Sequence, residues 1–302
     1  MQPLSPLAIL KAYDSVSSFA AGQFVSLTDF AQAQRIARDV TQMRIERGEK
    51  PLGYKIGFTN RNIWPLYGVS RPIWSPIYDT TMTQLSGEAA QIGLGRFVEP
   101  RLEPEIVIGL KATPKDDSVN EIVRAIAWVA HGFEIVQSHF PAWKFTAAEA
   151  HACQGLHGAL LIGPRTDITT AASDLAETLS AARLALCLEE NGALSLVEQG
   201  VGSNVLDGPL QALSFLVKGL ALEGKAVQAG EIITTGTLTD AKVMTPGQRW
   251  RSHWLAGPLE LSNLNQPVTS GAQTSNDGLA NQKIVHARHR SFLLSSLELD
   301  VL

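Results

Sequence analysis

Residues 103–110 read Glu-Pro-Glu-Ile-Val-Ile-Gly-Leu. The apolar run Ile106-Val107-Ile108 has the length and β-branching of a buried strand. In an extended chain, residues two apart project from one face, about 7 Å apart along the strand. Glu103 and Glu105 therefore share a face beside an apolar core. Two carboxylates so placed repel each other unless a positive group sits between them. Pro104 cannot donate to a ladder, which puts this segment at a strand start or a sheet edge. The alternative reading is a solvated acidic edge with no metal.

Outward from this strand the texture repeats. Short apolar runs punctuated by Gly and Pro predict strands over Gly53–Phe58, Gly132–Gln137, Gly158–Ile162, Arg183–Glu189, Ala193–Gln199 and Glu231–Thr235. Asn191-Gly192 between two such runs suits a type I′ hairpin turn, because both central residues need positive φ. Helices are expected over Pro6–Phe19, from a Ser26 or Thr28 cap to about Gly48, over Val119–Ala130 and Pro209–Leu222, with Ala172–Ala182 as a further candidate. Strands outnumber helices without alternating regularly with them, so the expected class is α+β. The domain reading is an N-terminal helical region at 1–75, a catalytic β domain at 76–262, and a polar linker and tail at 263–302. Residues 265–277 are rich in Asn, Gln, Ser, Thr and Gly. Residues 283–302, basic and then apolar, are expected to dock on the body or on a neighbouring subunit.

Composition bounds the function. The 302 residues are 45% hydrophobic and 18% charged, with a net charge of −4, an ordinary globular balance that points to neither nucleic acid nor an anionic membrane. No apolar run approaches the roughly 18 residues of a membrane span, and Met1 to Lys11 does not resemble a signal peptide. Cys153 and Cys187 fit no zinc or disulfide framework and are expected to be reduced. The expectation is a soluble cytoplasmic protein.

Other chemistry-bearing residues sit in apolar surroundings. Glu134, in Gly132-Phe133-Glu134-Ile135-Val136, is a strand carboxylate that needs either a salt-bridge partner or a metal. Three such oxygen ligands suit Mg2+ or Mn2+. Lys55, in Gly53-Tyr54-Lys55-Ile56-Gly57, either snorkels outward or is held inside by an anion, where it becomes useful in proton transfer. Asp79 either partners Lys55, positions a water or forms a turn. His157 lies among small neighbours that let a ligand approach, or is a satisfied structural histidine. His131 and His139 flank the Glu134 strand. Lys144 is expected at the surface. The Thr234-Thr235-Gly236-Thr237 run offers N–H and hydroxyl groups that can bind a carboxylate, or is a plain strand and turn.

Taken in order, Gly53-Tyr54-Lys55-Ile56-Gly57-Phe58-Thr59, Asp79, Glu103-Pro104-Glu105-Ile106, Phe133-Glu134-Ile135-Val136 and Thr234-Thr235-Gly236-Thr237-Leu238-Thr239 resemble the 2-keto-4-pentenoate hydratase and 4-oxalocrotonate decarboxylase family of the fumarylacetoacetate hydrolase superfamily. The resemblance runs from the N-terminal helices to about Gly257. It implies a mixed β-sandwich roll behind an N-terminal helical region, and commonly a homo-oligomer. It implies a Mg2+ or Mn2+ site at Glu103, Glu105 and Glu134, and proton transfer by Lys55 with Asp79 nearby. The implied reaction is hydration of a 2-hydroxydienoate or 2-oxo-enoate in aromatic-compound catabolism, with Asp79 or His157 activating water. Decarboxylation of a 2-oxo diacid, acylpyruvate-type C–C hydrolysis and a non-catalytic 2-oxo-acid binding subunit associated with a pathway enzyme are the alternatives. Two segments depart from the family pattern. Gln137 stands where an acidic residue is frequent, and Cys153-Gln154-Gly155-Leu156-His157 replaces an Asp-Asn-x-Ser-Ser-like segment. Both are expected to line the substrate pocket.

Overall fold

A computed structural model describes residues 1–168, 172–190, 192–255 and 294–302. In chain order the elements are α1 (Pro6–Ser15), α2 (Phe30–Glu46), β1 (Pro51–Gly57), α3 (Trp64–Tyr67), β2 (Ile73–Tyr78), β3 (Met82–Gln84), β4 (Ala89–Ile92) and β5 (Arg101–Leu110). They continue as α4 (Val119–Ala125), β6 (Ile126–Val136), α5 (Ala147–Ala152), β7 (His157–Asp167), α6 (Ala172–Ala181), β8 (Arg183–Glu190) and β9 (Ala193–Val201). The last are α7 (Pro209–Leu222), β10 (Ile232–Thr237), β11 (Lys242–Val243), β12 (Arg249–Leu255) and β13 (Leu297–Val301).

The strands form two mixed sheets. The larger runs β2-β1-β10-β5-β6-β7-β3, with β11 also paired to β5. The smaller runs β4-β13-β12-β8-β9. One apolar core joins both, because Ile106, Ile108 and Phe133 from the large sheet cluster with Leu184, Trp250 and Leu299 from the small one and with Leu213 of α7. A second cluster ties α1, α2 and α5 together through Ile9, Ile36, Val40 and Ala148. β1 and β2 belong to the large sheet, so the expected boundary near residue 75 falls within β2.

Local chemistry explains most element ends and several departures from expectation. α2 is capped by Asp29, neither by Ser26 nor by Thr28. The Asp29 Oδ1 accepts from Ala31 N at 2.8 Å and Gln32 N at 3.2 Å, meeting donors the first turn leaves free. α1 stops at Ser15, earlier than Phe19, because Val16 turns left-handed at φ 48°. The helix expected to reach Ala130 ends at Ala125. Ile126 to Ala130 instead pair with β5, Val129 opposite Ile108 and Ala130 opposite Val107, and ladder bonding overrides a pattern that fits both periods. β8 and β9 form the expected hairpin, with Glu190 opposite Ala193 and Gly192 at φ 77°. Asn191 and the polar stretch at 265–277 lie outside the described residues. β13 docks on the body by pairing with β12 and β4.

One helical stretch, Gly202–Leu222, reaches the length and apolar content of a membrane span, contrary to the expectation of none. Its Leu210, Leu213, Leu216 and Leu220 are buried in the shared core.

Candidate metal centre

β5 and β6 bring the three acidic residues together by register alone. Glu103 lies directly opposite Glu134, and Glu105 lies opposite Gly132. The absent side chain at Gly132 leaves room, since a Cβ there would meet Val107 at 2.7 Å. One carboxylate oxygen from each of Glu103, Glu105 and Glu134 lies within 4.8 Å of the others. Like charges directly opposite in a sheet are destabilising, and Glu105 and Glu134 are fully buried, so the cluster requires compensation.

Part of it comes from Lys55 on β1. Its ammonium lies 3.2 Å from Glu134 Oε1 and donates to the Gly155 carbonyl at 3.0 Å. The lysine is therefore held inside by an anion. Gly155, at φ 61°, has no room for a side chain, because a Cβ would meet Ser75 Oγ at 2.5 Å and Lys55 at 3.0 Å. Three carboxylates share this one ammonium, and with Arg101 acting on Glu103 as well the cluster still carries excess negative charge when all are ionised.

The carboxylates are held at one oxygen and bare at the other. Glu105 Oε2 accepts from the Thr234 hydroxyl and from Gly236 N at 2.8 Å. The Thr-Thr-Gly-Thr run thus binds a carboxylate, and the carboxylate is the protein's own. Thr235 donates to Ile106 O at 2.9 Å, fixing the run to β5. Gly236, at φ 113°, must be glycine because a Cβ would collide with Thr59. Glu134 Oε1 accepts from His157 Nδ1 at 2.8 Å as well as from Lys55. Glu105 Oε1 and Glu134 Oε2 are buried with no hydrogen-bond partner. Buried oxygens without partners are costly, and two of them beside a third carboxylate are what an oxygen-liganded divalent cation fits.

Ionisation follows the same logic. Burial and the neighbouring Glu134 push Glu103 up to about 7. Burial and both other carboxylates push Glu105 well above the ordinary range. Burial also acts upward on Glu134, but Lys55 and the His157 hydrogen bond outweigh it and hold this carboxyl low. Burial acts downward on Lys55, and the three glutamates reverse it, so the lysine stays charged.

A cavity of about 320 Å³ opens over this cluster. Lys55, Glu103 and Glu105 reach it, beside Gly155, Leu156 and Gly236. Phe58, Tyr67, Trp143 and Phe145 form an aromatic wall, with Tyr67 and Phe145 stacked at 5.3 Å. Arg101 lines the same space.

Several expected site residues sit elsewhere. Asp79 is exposed, and its Oδ1 accepts from Lys50 N at 2.9 Å; it is the turn-forming aspartate and does not partner Lys55. His157 is buried behind Glu134 and does not line the cavity. A carboxylate only accepts, so His157 Nδ1 carries the proton, and Nε2, 2.9 Å from Thr81 Oγ1, accepts from that hydroxyl. Both nitrogens are occupied, which makes His157 the group that orients Glu134. His131 faces the other side of β6, bonded to Glu105 O and Ser252. His139 bonds Ser17 O near the N-terminal helices, and Lys144 is exposed. Of the two departing segments, Gly155 and Leu156 line the cavity. Gln137 instead accepts from Val98 N at 3.0 Å, and Gln154 accepts from the Tyr78 hydroxyl at 3.0 Å.

Comparison with known proteins fits this picture. Among solved structures, 4-oxalocrotonate decarboxylase from Pseudomonas putida, complexed with magnesium and adipate, matches with a TM-score of 0.75 at 21% identity, covering 98% of this chain and 95% of that one. The fold is a mixed α/β arrangement with curled sheets of the fumarylacetoacetate hydrolase type. No family profile matches the chain. Curated relatives do. A 4-oxalocrotonate decarboxylase of a Pseudomonas species is 30% identical over 221 residues, 72% of this chain and 79% of the relative. A 2-keto-4-pentenoate hydratase of Paraburkholderia xenovorans is 28% identical over 215 residues, 70% of this chain and 76% of the relative. A 2-hydroxyhexa-2,4-dienoate hydratase of Comamonas testosteroni is 29% identical over 221 residues, 72% of this chain and 80% of the relative. The chain belongs to the 2-keto-4-pentenoate hydratase and 4-oxalocrotonate decarboxylase family, a family of lyases.

Proposed function

We propose that the chain is a divalent-metal-dependent lyase of short 2-oxo acids, and that its reaction is hydration of a 2-hydroxydienoate or its 2-oxo-enoate tautomer in aromatic-compound catabolism. One observation carries the proposal. Glu105 and Glu134 each keep one buried oxygen without a hydrogen-bond partner beside Glu103, and Glu103 and Glu105 line a cavity. Glu103, Glu105 and Glu134 would hold a cation such as Mg2+ or Mn2+, which supplies a Lewis acid for the substrate carboxylate and 2-oxo oxygen.

The chain's own groups define the rest. Lys55 keeps its charge next to the site and so has a proton to give to the dienol carbon skeleton during tautomerisation. His157 fixes Glu134 through one oxygen and so keeps the other turned toward the cluster. The aromatic wall keeps bulk water from the conjugated chain.

A second reading, decarboxylation of a 2-oxo diacid such as 4-oxalocrotonate, is favoured by Arg101 in the same cavity. Acylpyruvate-type C–C hydrolysis has less support, because among the described residues no histidine lines the cavity. The test is a panel of short 2-oxo-enoic acids and 4-oxalocrotonate with Mg2+ or Mn2+, followed by ultraviolet absorbance and CO2 release. Metal-dependent loss of absorbance without CO2 supports hydration. CO2 release assigns the second reading. No turnover of any member with either metal overturns both.

A further inference from the structure

Between α5 and β7 three consecutive residues take left-handed backbone, Gln154 at φ 55°, Gly155 at φ 61° and Leu156 at φ 64°. Glycine enters this region freely, but a glutamine and a leucine do so only where their surroundings hold them there. Cys153 O, just before the turn, accepts from the Tyr13 hydroxyl of α1 at 2.9 Å. The Gln154 side chain is fully buried. Its Nε2 donates to Ala37 O of α2 at 2.9 Å, and its Oε1 accepts from the Tyr78 hydroxyl of β2 at 3.0 Å. Tyr78 is covered by the Arg44 guanidinium, 3.9 Å from its ring centroid, and Arg44 is paired with Glu49 at 2.6 Å. Leu156 O accepts from Gln137 N at 2.8 Å. Contacts from α1, α2 and β2 thus converge on one short turn.

What the turn presents to the site is a single carbonyl. An ammonium has three N–H donors in a tetrahedral arrangement. Gly155 O takes one at 3.0 Å, and Glu134 Oε1, at 3.2 Å, takes another. With Glu134 alone the ammonium could rotate about that one contact. With two acceptors fixed, the direction of the third N–H is fixed as well, and Lys55 lines the cavity.

We propose that Gln154 is a positioning residue for the reaction: it holds the left-handed turn, sets the Gly155 carbonyl against Lys55, and so aims the remaining N–H of the ammonium at the substrate. This rests on the proton-transfer role given to Lys55 above. It also gives the N-terminal helices a part in the chemistry, because Tyr13 and Ala37 hold the turn from α1 and α2.

Gln154→Leu keeps most of the bulk and removes both amide bonds. In Mg2+-dependent turnover of 2-hydroxypenta-2,4-dienoate, its kcat should fall by about ten- to a hundredfold, the cost of a misplaced reacting group. KM and Mg2+ affinity should stay close to the wild-type values. Tyr78→Phe keeps the ring under Arg44 and should act in the same direction but less, because the Thr41 hydroxyl lies 3.3 Å from the same Gln154 oxygen. The double variant should lose no more than Gln154→Leu alone, since both changes break one network. In the metal-free protein, proton–nitrogen NMR should show a slowly exchanging Lys55 ammonium resonance, assigned by its absence in Lys55→Met, that is broadened or lost in Gln154→Leu. Should Gln154→Leu not fold, Tyr78→Phe carries the same readings. An unchanged kcat in both variants overturns the role of Gln154, as does a resonance that persists unaltered. A fall in Mg2+ affinity equal to the fall in kcat also overturns it, because the turn would then serve the acidic cluster. No turnover by the wild type refutes the hydration reading and leaves the resonance to decide whether Gln154 holds Lys55 in place.

Discussion

The Lys55 ammonium lies 3.2 Å from Glu134 Oε1, both groups shielded from solvent inside the large sheet. Burying one ion pair gives little net stability. This pair has another consequence, because it holds Glu134 ionised beside two glutamates whose burial favours their neutral forms.

Lys55→Met should separate chemistry from metal binding. Loss of the proton-transfer group should lower kcat by about a hundredfold or more. Loss of a cation beside the cluster should leave Mg2+ binding at least as tight as in the wild type. Steady-state kinetics and calorimetry read the two effects. An unchanged kcat would remove Lys55 from the mechanism.

Thr234→Val should act through Glu105. The hydroxyl that holds Glu105 Oε2 is lost, while Gly236 N still donates to it. Removing a group that orients a metal ligand weakens binding by about ten- to a hundredfold. Mg2+ affinity should fall by that factor with the circular dichroism spectrum unchanged. An unaltered affinity contradicts the role given to this threonine.

Thermal stability should depend on pH and on Mg2+ together. Glu103 titrates near about 7 in the folded protein, above an unfolded value of about 4.3. A carboxyl raised in this way is protonated more tightly when folded, so its contribution is full below the unfolded value and is lost as pH rises through the folded one. Glu105 acts in the same direction. Glu134, held low, loses its contribution only in acid, below the unfolded value of about 4.3. In EDTA the Tm should therefore fall between about pH 5 and about pH 8. Saturating Mg2+ should abolish the fall, and Glu103→Gln should reduce it. A flat Tm in EDTA counts against this electrostatic account.

Glu149 ties the N-terminal helices to the body. Its carboxylate accepts from Thr146 N at 2.7 Å, closing a capping box at α5, and from Leu27 N at 3.0 Å. Glu149→Ala leaves two amides without their partner, a cost of about 2–4 kcal/mol. Urea unfolding should report a loss in that range. A change below about 0.5 kcal/mol would mean that water replaces the carboxylate.

The acidic cluster was legible because strand periodicity is local. Glu103 and Glu105 share a face by spacing alone, and Glu134 stood out as a charge in an apolar strand. The hydrogen-bond partners were not legible, since they come from distant segments. That Thr234 and Gly236 hold Glu105, and that His157 stands behind Glu134, depends on β10 pairing with β5 and on β7 pairing with β6. Asp79 failed because sequence order does not reveal exposure, and its carboxylate is used by a backbone amide 29 residues earlier. Arg101 went unread although it stands two residues before Glu103 on the same strand face, and the alternation that joined Glu103 to Glu105 extends to it. β13 carried a similar signal. Leu297, Leu299 and Val301 alternate with Glu298 and Asp300 and are buried, yet they follow a long polar stretch that drew the reading toward a tail.

Calorimetric titration of Mg2+ into the wild-type protein and into Glu105→Gln tests the metal site most directly. One saturable site per chain in the wild type, lost or weakened about a hundredfold or more in the variant while the fold persists, is the expected result. Equal Mg2+ binding by the two proteins, or none by the wild type at millimolar concentration, would contradict a cation held among Glu103, Glu105 and Glu134.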